Sequence, residues 1–563
     1  MKKKHGRKSQ RGFVTNTTAL QLFAAVLASQ GAMSAHAFEI ESGNPDVKIH
    51  WDNTLKYSTA FRLKDASGTL LADPNQDDGD RNFGKGVISN RVDLLSEFDV
   101  KYKDHMGVRV SGAAWYDSIY HQTNDNNSPG TANNISVPYN QFNSATRSLH
   151  GGSSEILDAF VYDTDNIGGI PSTVRLGRHT VLYGETVFFG SNGIAGGQAP
   201  TDVVKLLSVP GSQFKEIVRP VNQLSTQFQV KDNLAIGAYY QFEWRKTLIP
   251  GEGSYFSGGD VVDGSERFFL GPPFPPGAAL FHTRDQAAKN SGQGGMQIRW
   301  RPSNLDVELG LYAIRYNEKT PQFYASTVLT GGTLNPAIGE FGTYQLVYPE
   351  GVKAYGASFS TQIGDANVAG EVSVRRNTPL VSDPTIFGVT TTATSGNNNS
   401  NPAYAVGNSA HANLSTIYLA PPTGLWNTAS FVGEIAWNRR TSVTKNPEAV
   451  AANSSRDAWA LRFLFEPAWF QVAPGLDLSA PVGVGYSPHG NSSVVSQFNA
   501  GGKNGGDLSL GIKGTYQQVW HFGLTYTNFF GSAGTGLNSL GQLSFKQNLS
   551  DRNFIAATVQ RSF

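Results

Sequence analysis

The chain has 563 residues, 45 lysines and arginines against 44 acidic residues, and no cysteine. The absence of cysteine excludes thiolate catalysis, cysteine-ligated zinc and iron–sulfur clusters, and the near-neutral charge does not favour a nucleic-acid partner. Glycine accounts for 62 residues, above the roughly 7% share usual in proteins, and the mean hydropathy is −0.29. An aromatic content of 11% with negative hydropathy favours a barrel with apolar side chains at every second position over a large soluble core.

The first predicted element is a secretory signal peptide over residues 1–37. A basic start without acidic residues precedes the apolar residues 19–29, and Ala35-His36-Ala37 is a small-residue cleavage site with cleavage after Ala37. The apolar stretch is too short for a membrane-spanning helix, which needs ~20 residues. Six of the 45 basic residues lie in this part, so the remainder has 39 basic and 44 acidic residues, a formal net charge of −5. Residues 38–46 are predicted to form a short periplasmic segment.

From residue 47 onward, apolar and polar residues alternate, as in β-strands whose two faces meet different solvents. In residues 47–63 the odd positions include Trp51 and Phe61, whereas the even positions include Lys48 and Asp52. The same alternation recurs over residues 91–102, 234–245, 296–301, 305–311, 459–466 and 520–527. A β-sandwich or a propeller also alternates, so this pattern alone does not decide the fold.

The lengths of the runs and of their connections favour a transmembrane barrel. Many runs reach the ~10 residues of a tilted membrane strand, whereas soluble strands average about five or six. Short turns near residues 103–107, 231–233, 302–304 and 364–365 alternate with long polar loops near 64–88, 121–153, 248–291, 319–350, 379–410 and 487–505. We therefore predict an all-β fold, a transmembrane antiparallel β-barrel over residues 47–563, in the outer membrane of a Gram-negative bacterium. Both termini on the periplasmic side require an even number of strands, and we predict 16–18.

The alternation stops between residues 184 and 220, where Thr201 or Asp202 can cap a short helix that ends before Pro210. One interpretation is an ordinary external loop. The other is a plug or constriction inserted into the lumen, because the segment is too apolar for a fully solvated loop. The constriction candidates are Glu185, Phe188, Phe189, Val203, Leu206 and Phe214.

Charged residues on the polar phase of the strands are predicted to line the lumen, because an arginine facing lipid near mid-membrane costs ~2–4 kcal/mol. The lumen-wall candidates are Glu97, Asp99, Arg109, Glu243, Arg245, Arg299, Arg301, Glu308, Glu371, Arg375, Glu434 and Arg462. They can form cross-strand ion pairs that rigidify the barrel, or a charged wall that steers polar or anionic groups of a permeant. The two roles are compatible.

Motifs of catalysis and metal binding are weak. No G-x-S-x-G or H-E-x-x-H pattern occurs, and residues 150–153 (HGGS) resemble an oxyanion motif only loosely. We therefore expect no enzyme activity, no cofactor and no metal site. Residues 73–80 (DPNQDDGD) begin like a calcium loop, but Asp78 stands where glycine is expected and Gly84 where glutamate is expected. A solvated acidic loop is therefore favoured over a calcium site.

The chain ends in an aromatic residue, Phe563. Its last residues resemble the C-terminal signal that the outer-membrane barrel assembly machinery reads, which ends in phenylalanine. Arg561 departs from the apolar residue usual at its position, although its aliphatic stem can extend along apolar surface towards the headgroups.

Several stretches also resemble a known family. Residues 174–179 (VRLGRH) and 183–186 (YGET) are similar to its LRLGRQ…WGEST core, and residues 202–216, 220–247 and 254–257 continue the match. This is the domain of unknown function 1302 (DUF1302) family of proteobacterial outer-membrane proteins, and the resemblance covers nearly all of the mature chain. It implies a transport-like channel associated with uptake or catabolism of hydrophobic or lipid-like compounds. His179 and Tyr183 stand where the family often has glutamine and tryptophan.

The leading hypothesis is a porin-like channel or facilitator through which a small hydrophobic or amphipathic compound diffuses passively. The expected partners are outer-membrane lipids, the barrel assembly machinery, an unidentified small-molecule permeant and a periplasmic carrier, with no nucleic acid. The alternatives are a non-transport scaffold or adhesin that works with periplasmic partners and, less favoured, an outer-membrane hydrolase.

Overall fold

The structure is a computed structural model that describes residues 38–328, 334–496, 498 and 501–563. The predicted signal peptide, with Ala35 and Ala37, lies outside the described residues. The strands in chain order are β1 (Phe38–Glu41), β2 (Val47–Arg62), β3 (Gly86–Tyr102), β4 (Met106–Asp117), β5 (Gly152–Ile167), β6 (Ile170–His179), β7 (Val221–Lys231), β8 (Leu234–Gln241), β9 (Arg267–Phe269), β10 (Ala279–His282), β11 (Gln293–Trp300), β12 (Val307–Tyr316), β13 (Gln322–Thr327), β14 (Glu340–Val347), β15 (Val352–Ile363), β16 (Ala366–Pro379), β17 (Thr385–Phe387), β18 (Val406–Ala420), β19 (Thr428–Lys445), β20 (Asp457–Ala473), β21 (Leu476–Ser479), β22 (Val482–His489), β23 (Gly506–Tyr516), β24 (Trp520–Phe530) and β25 (Phe554–Ser562).

Within the described residues, eighteen strand positions close into one antiparallel barrel. Consecutive wall strands pair with each other, and β25 closes the ring on β2, with Phe554 opposite Arg62. β21 and β22 share one position because both lie between β20 and β23. β1 pairs with the start of β2, so part of the N-terminal segment predicted as periplasmic is a strand. The predicted range of 16–18 strands is confirmed at its upper limit, and closure leaves no unpaired edge in hydrocarbon.

Side-chain exposure follows the predicted alternation of two residues. On β3, Leu94 is 39% and Phe98 36% exposed, whereas Asp93 and Glu97 are buried. An apolar row on the outside and a polar row on the inside is the arrangement of a barrel that sits in a membrane. The chain is therefore an outer-membrane β-barrel protein.

Short turns and long loops alternate around the barrel, as predicted. The short turns span residues 103–105, 168–169, 232–233, 301–306, 364–365, 421–427, 474–475 and 517–519. The long loops span residues 63–85, 118–151, 180–220, 242–292, 317–351, 380–405, 446–456, 490–505 and 531–553. In outer-membrane barrels short turns face the periplasm and long loops face the exterior, which orients the molecule.

The C-terminal residues complete the wall at its periplasmic end. The backbone of Phe563 exchanges two hydrogen bonds with Asn53, its N–H donating at 2.9 Å and its carbonyl accepting at 2.8 Å. The guanidinium of Arg561 lies 5.2 Å from the ring centroid of Trp520. Arg561 is thus held over an aromatic ring of the outward row, a favourable cation–π arrangement.

A second, five-stranded sheet lies in the external loops, in the order β17-β13-β14-β10-β9. The pairs β10–β14 and β13–β17 are parallel. The helices are short: α1 (Asp78–Arg81), α2 (Ser144–Thr146), α3 (Val203–Ser208) and α4 (Phe214–Ile217), with 3₁₀ turns at Leu70–Ala72, Ser118–His121, Ile194–Gly197, Pro336–Ile338 and Pro447–Ala449 and a π turn at Arg147–Gly151. None of the helices in the described part of the chain is long and apolar enough to span a membrane.

The acidic loop at residues 73–80 is largely buried, so the prediction of a solvated loop is wrong. A carboxylate oxygen of Asp78 accepts a hydrogen bond from the backbone N–H of Asn133 at 2.8 Å. Asp80 lies 3.1 Å from the guanidinium of the buried Arg552. These partners come from distant parts of the chain and replace water around the loop. Among the described residues, no group of three histidine, aspartate or glutamate side chains is placed to hold a metal ion.

Three buried carboxyl groups meet at this loop. The backbone N–H of Asp78 donates to Asp260 at 3.0 Å, and Glu252 accepts from Asn143 at 2.7 Å. Burial raises the pKa of Asp78 to about 7. Burial, together with the neighbouring negative charge of Asp78, raises the pKa of Glu252 and Asp260 well above the usual range. The packing of these external loops therefore depends on protonated carboxyl groups.

Candidate functional site: a segment held inside the barrel

The chain leaves the wall after β6 and returns at β7. Between them, residues 183–220, here called the inserted segment, contact side chains of the inward row on β16, β18 and β19. Further along, the same segment contacts β3 and β5 on another part of the wall. Because these strands lie far apart around the ring, the inserted segment crosses the lumen.

Glu371 of β16 forms the first anchor of the inserted segment. Its carboxylate accepts hydrogen bonds from the backbone N–H groups of Glu185, at 2.9 Å, and Ile194, at 2.6 Å. Gly184 has φ +97°, and a Cβ there would overlap the carboxylate of Glu371. A glycine is therefore required for the backbone to approach this anchor so closely.

Glu434 of β19 forms the second anchor. One carboxylate oxygen accepts from three consecutive backbone N–H groups, those of Val187 at 3.1 Å, of Phe188, and of Phe189 at 3.0 Å. The other oxygen accepts from the side-chain amide of Asn413 at 2.7 Å. Hydrogen bonds to an ionised acceptor are stronger than neutral ones, so Glu434 fixes the turn at 187–189 against the wall.

Asn192 forms the third anchor and uses both ends of its amide. The NH₂ group donates to Asn413 at 2.9 Å and to the carbonyl of Trp437 at 3.1 Å. The oxygen accepts from Asn438 at 3.1 Å and faces Nδ1 of His411 at 3.0 Å, a geometry that assigns the imidazole proton to Nδ1. A buried amide with its donors and acceptor paired specifies one position for the tip of the segment.

The guanidinium of Arg375 completes this network. One of its nitrogens donates to the carbonyls of Ser191, Asn192 and Gly193 at 2.8–2.9 Å. The two carboxylate anchors accept from N–H groups, whereas Arg375 donates to carbonyl groups of the same turn. The wall thus satisfies buried backbone groups of the inserted segment.

The second half of the inserted segment is held by charge on β3 and β5. Glu155 lies 3.4 Å from Lys205, 3.3 Å from Arg219 and 3.2 Å from Arg245. Lys215 pairs with Glu97 of β3. These contacts fix residues 203–219 on the side of the lumen opposite to Glu434.

Several predicted wall residues are brought together as ion pairs. Arg109 lies between Glu97, Asp99 and Asp158, at 2.7 Å from Asp99 and 3.4 Å from Asp158. Glu308 pairs with Arg299 and, at 3.4 Å, with Arg301, and Arg462 pairs with Asp507. Glu243 does not belong to these inward ion pairs. Its partner at 3.0 Å is Arg178, which points to the same outward side of β6 as the exposed Leu176.

The candidate constriction residues fall into two groups. Phe189 is buried, its ring 5.7 Å from that of Phe498, and Phe188 packs beside it. Glu185 is half-buried, 3.6 Å from Arg299. Val203 is half-buried, whereas Leu206 is 54% and Phe214 63% exposed. Glu185, Phe188 and Phe189 thus belong to the half of the segment anchored by Glu371 and Glu434. Val203, Leu206 and Phe214 belong to its second half.

Sequence reasoning missed two residues that the structure places at the centre of the site. Glu155 lies on the inward phase of β5, and the alternation of that strand could have revealed it. Asn192 lies in a glycine-rich stretch without periodicity, and its partners on β18 and β19 are more than two hundred residues away. Nothing in the local sequence indicates such a role.

The family model "Protein of unknown function (DUF1302)" matches residues 18–563 of the chain. The chain belongs to the DUF1302 family. The family resemblance predicted from the sequence is therefore confirmed over nearly the whole chain. No curated protein matches this DUF1302 sequence.

Several solved structures are similar to this DUF1302 barrel. OccAB1 of Acinetobacter baumannii has a TM-score of 0.41 at 8% identity, covering 94% of this chain and 99% of its own. The outer membrane protein OpdK of Pseudomonas aeruginosa has 0.40 at 11% identity, covering 92% and 98%. The outer membrane channel DcaP of A. baumannii has 0.33 at 10% identity, covering 94% and 99%.

Proposed function

We propose that this DUF1302 barrel is a passive channel through which a small solute diffuses across the outer membrane. The observation that carries the proposal is the uneven use of the inner wall. The inserted segment is anchored on β3, β5, β16, β18 and β19. The inward row of β22–β25 includes Asp507, Lys513, His521 and Gln560, and its remaining mid-strand positions carry small side chains. These are Gly483, Ser509, Gly511, Gly523, Thr525 and Thr558.

The charges beside this small-residue wall support a water-filled path. The side chain of Lys513 is 50% exposed and pairs with Glu466 at 3.1 Å, and Arg462 beside it is 32% exposed. Exposed ion pairs on an inward row are typical of a hydrated lumen. Diffusion along this wall needs neither covalent chemistry nor a cofactor, so we propose a non-enzymatic role.

The resemblance to the family suggests a hydrophobic or amphipathic solute, and we propose this class for the permeant. A narrow lumen selects by contact, because a solute passing beside the inserted segment exchanges water for wall residues. The segment is thus proposed to act as the constriction.

Conductance of the purified mature protein in planar lipid bilayers tests the proposal. We expect discrete conductance steps, and larger steps when residues 186–195 are replaced by a glycine–serine linker of equal length. The matched control replaces residues 534–543 of an external loop in the same way and keeps the original step size. Sealed barrels in all three proteins would contradict the channel and favour a scaffold role.

A further inference from the structure

The inward row of the wall is polar almost everywhere along the proposed path, but it changes character at the periplasmic ends of β18–β20. On β18 the inward phase runs from His411, Asn413 and Ser415 to Ile417 and Leu419. Ile417 is 43% and Leu419 64% exposed. Two large apolar side chains therefore face the lumen rather than the lipid.

The neighbouring strands continue this apolar surface. Val432 of β19 lies opposite Ile417, and Leu464 of β20 lies opposite Val432. A Cβ on Gly483, next in the ring, would point to Ser509 and Leu464, which places Leu464 on the inward side. Ile417, Leu419, Val432 and Leu464 form what we call the apolar strip.

The apolar strip continues upward into the inserted segment. Val432 is the next inward residue of β19 on the periplasmic side of the anchor Glu434. Glu434 in turn holds the backbone of Val187 and Phe188. Val187 is 41% exposed although it belongs to a segment otherwise tied to the wall. Above it, Phe188 joins a buried cluster of Phe189, Val494, Val495 and Phe498 with Ala436, Ala458 and Ala460 of the inner wall.

Charged groups flank the strip on one side. On the inward row of β20, Leu464 lies between Arg462 and Glu466. Arg462 pairs with Asp507 and Glu466 with Lys513. The side chains of Arg462, Glu466 and Lys513 retain exposure, whereas Asp507 is buried. An apolar surface beside exposed charges matches a solute with an apolar body and a polar head, whereas a purely polar solute gains nothing from exposed apolar side chains.

We propose that the apolar strip is a binding site for the hydrocarbon part of an amphipathic permeant, with its head group against the ion pairs of β20–β23. This inference rests on the proposed channel function and adds to it the wall residues that contact the permeant. The solute would leave the turn at Val187 and pass along Val432, Leu464, Ile417 and Leu419 to the periplasmic mouth.

The test is block of potassium chloride current through single barrels in planar bilayers. The probes are octanesulfonate and methanesulfonate, which share a head group and differ in the hydrocarbon chain. We expect octanesulfonate to block the wild-type protein at a far lower concentration than methanesulfonate. The double variant I417T/L464T should weaken octanesulfonate block by about tenfold, because burial of a few methylene groups is lost. Methanesulfonate block should stay the same.

Two further variants serve as a second test of the strip and as a control. L419Q alters the most exposed position, where a polar side chain is tolerated, and should weaken octanesulfonate block even if the double variant fails to fold. L540T removes an apolar side chain on an external loop, at 78% exposure and far from the strip. Octanesulfonate should block L540T at the same concentration as the wild type. A conducting wild type with equal block by the two sulfonates, or with block unchanged in both strip variants, overturns the strip. A wild-type barrel without conductance overturns the channel itself.

Discussion

Replacement of Glu434 by glutamine should release the inserted segment from the wall. The carboxylate is buried and accepts three backbone hydrogen bonds from residues 187–189 through one oxygen. A hydrogen bond to an ionised group contributes about 1.5–3 kcal/mol and a neutral one about 0.5–1.5 kcal/mol. Loss of the charge on three bonds thus costs about 3 kcal/mol, which raises the population of the released segment by a factor of roughly 150.

Thiol labelling measures this population directly, because the natural chain has no cysteine. In an F189C background the only thiol lies in the buried turn, and a hydrophilic maleimide reacts when the segment is released. The labelling rate then follows the released population when release is fast relative to reaction. We expect F189C/E434Q to react about a hundredfold faster than F189C.

The matched control is D457N, which neutralises a carboxylate paired with Arg439 at 3.0 Å on the outward phase of β20. F189C/D457N should react at the rate of F189C. Rates within twofold of each other for all three proteins would refute the reasoning that Glu434 holds the segment.

Three further predictions concern the anchors and the external loops. G184A should lower the yield of folded, heat-modifiable barrel on gels far more than G211A, because both glycines have positive φ but only Gly184 abuts a carboxylate. External loops should resist protease better at pH 6 than at pH 8, because burial raises the pKa of Asp78 to about 7, and D260N should reduce this difference. R552M should destabilise the barrel to heat by about 3–5 kcal/mol, because it leaves a buried carboxylate without one of its cations.

The sign of the pH effect follows from linkage. A carboxyl group whose pKa is higher in the folded protein stabilises the fold fully below its unfolded pKa near 4, and this contribution fades as pH rises through the folded pKa. Digestion at equal rates at pH 6 and pH 8 would contradict the buried-carboxyl account. Similar losses of folded barrel for G184A and G211A would show that backbone strain alone, and not the contact with Glu371, lowers the yield. Recovery of the heat stability of R552M by the added change D80N would support the explanation by an unpaired charge.

The wall of the barrel could be predicted because its signal is local. Alternation between residues such as Asp93 and Leu94 is set by the solvents on the two sides of one strand, so each strand reports its own faces. The inward positions of Glu371 and Glu434 followed from the same rule. Their function as anchors did not, because the N–H groups they bind belong to a segment about two hundred residues earlier.

The external loops were the least predictable part for the same physical reason. The five-stranded sheet is built from short strands of three different loops, and two of its pairings are parallel, which leaves no alternation long enough to recognise. The local sequence predicts a solvated acidic loop because Arg552, which neutralises Asp80, lies 472 positions later. Charge pairing between residues so far apart cannot be recognised from a local stretch of sequence.

The pairing of β25 with β2 gives the barrel a seam between its first and last wall strands. Until the final nine residues of wall have been synthesised and delivered, β2 and β24 each present a row of unsatisfied amides that hydrocarbon does not tolerate. Closure of the ring therefore needs β25, and a chain truncated before Phe554 leaves an open sheet whose edge amides hydrocarbon does not tolerate. Pairing of the C-terminal strand at this seam is therefore what gives the barrel a closed wall that the membrane tolerates.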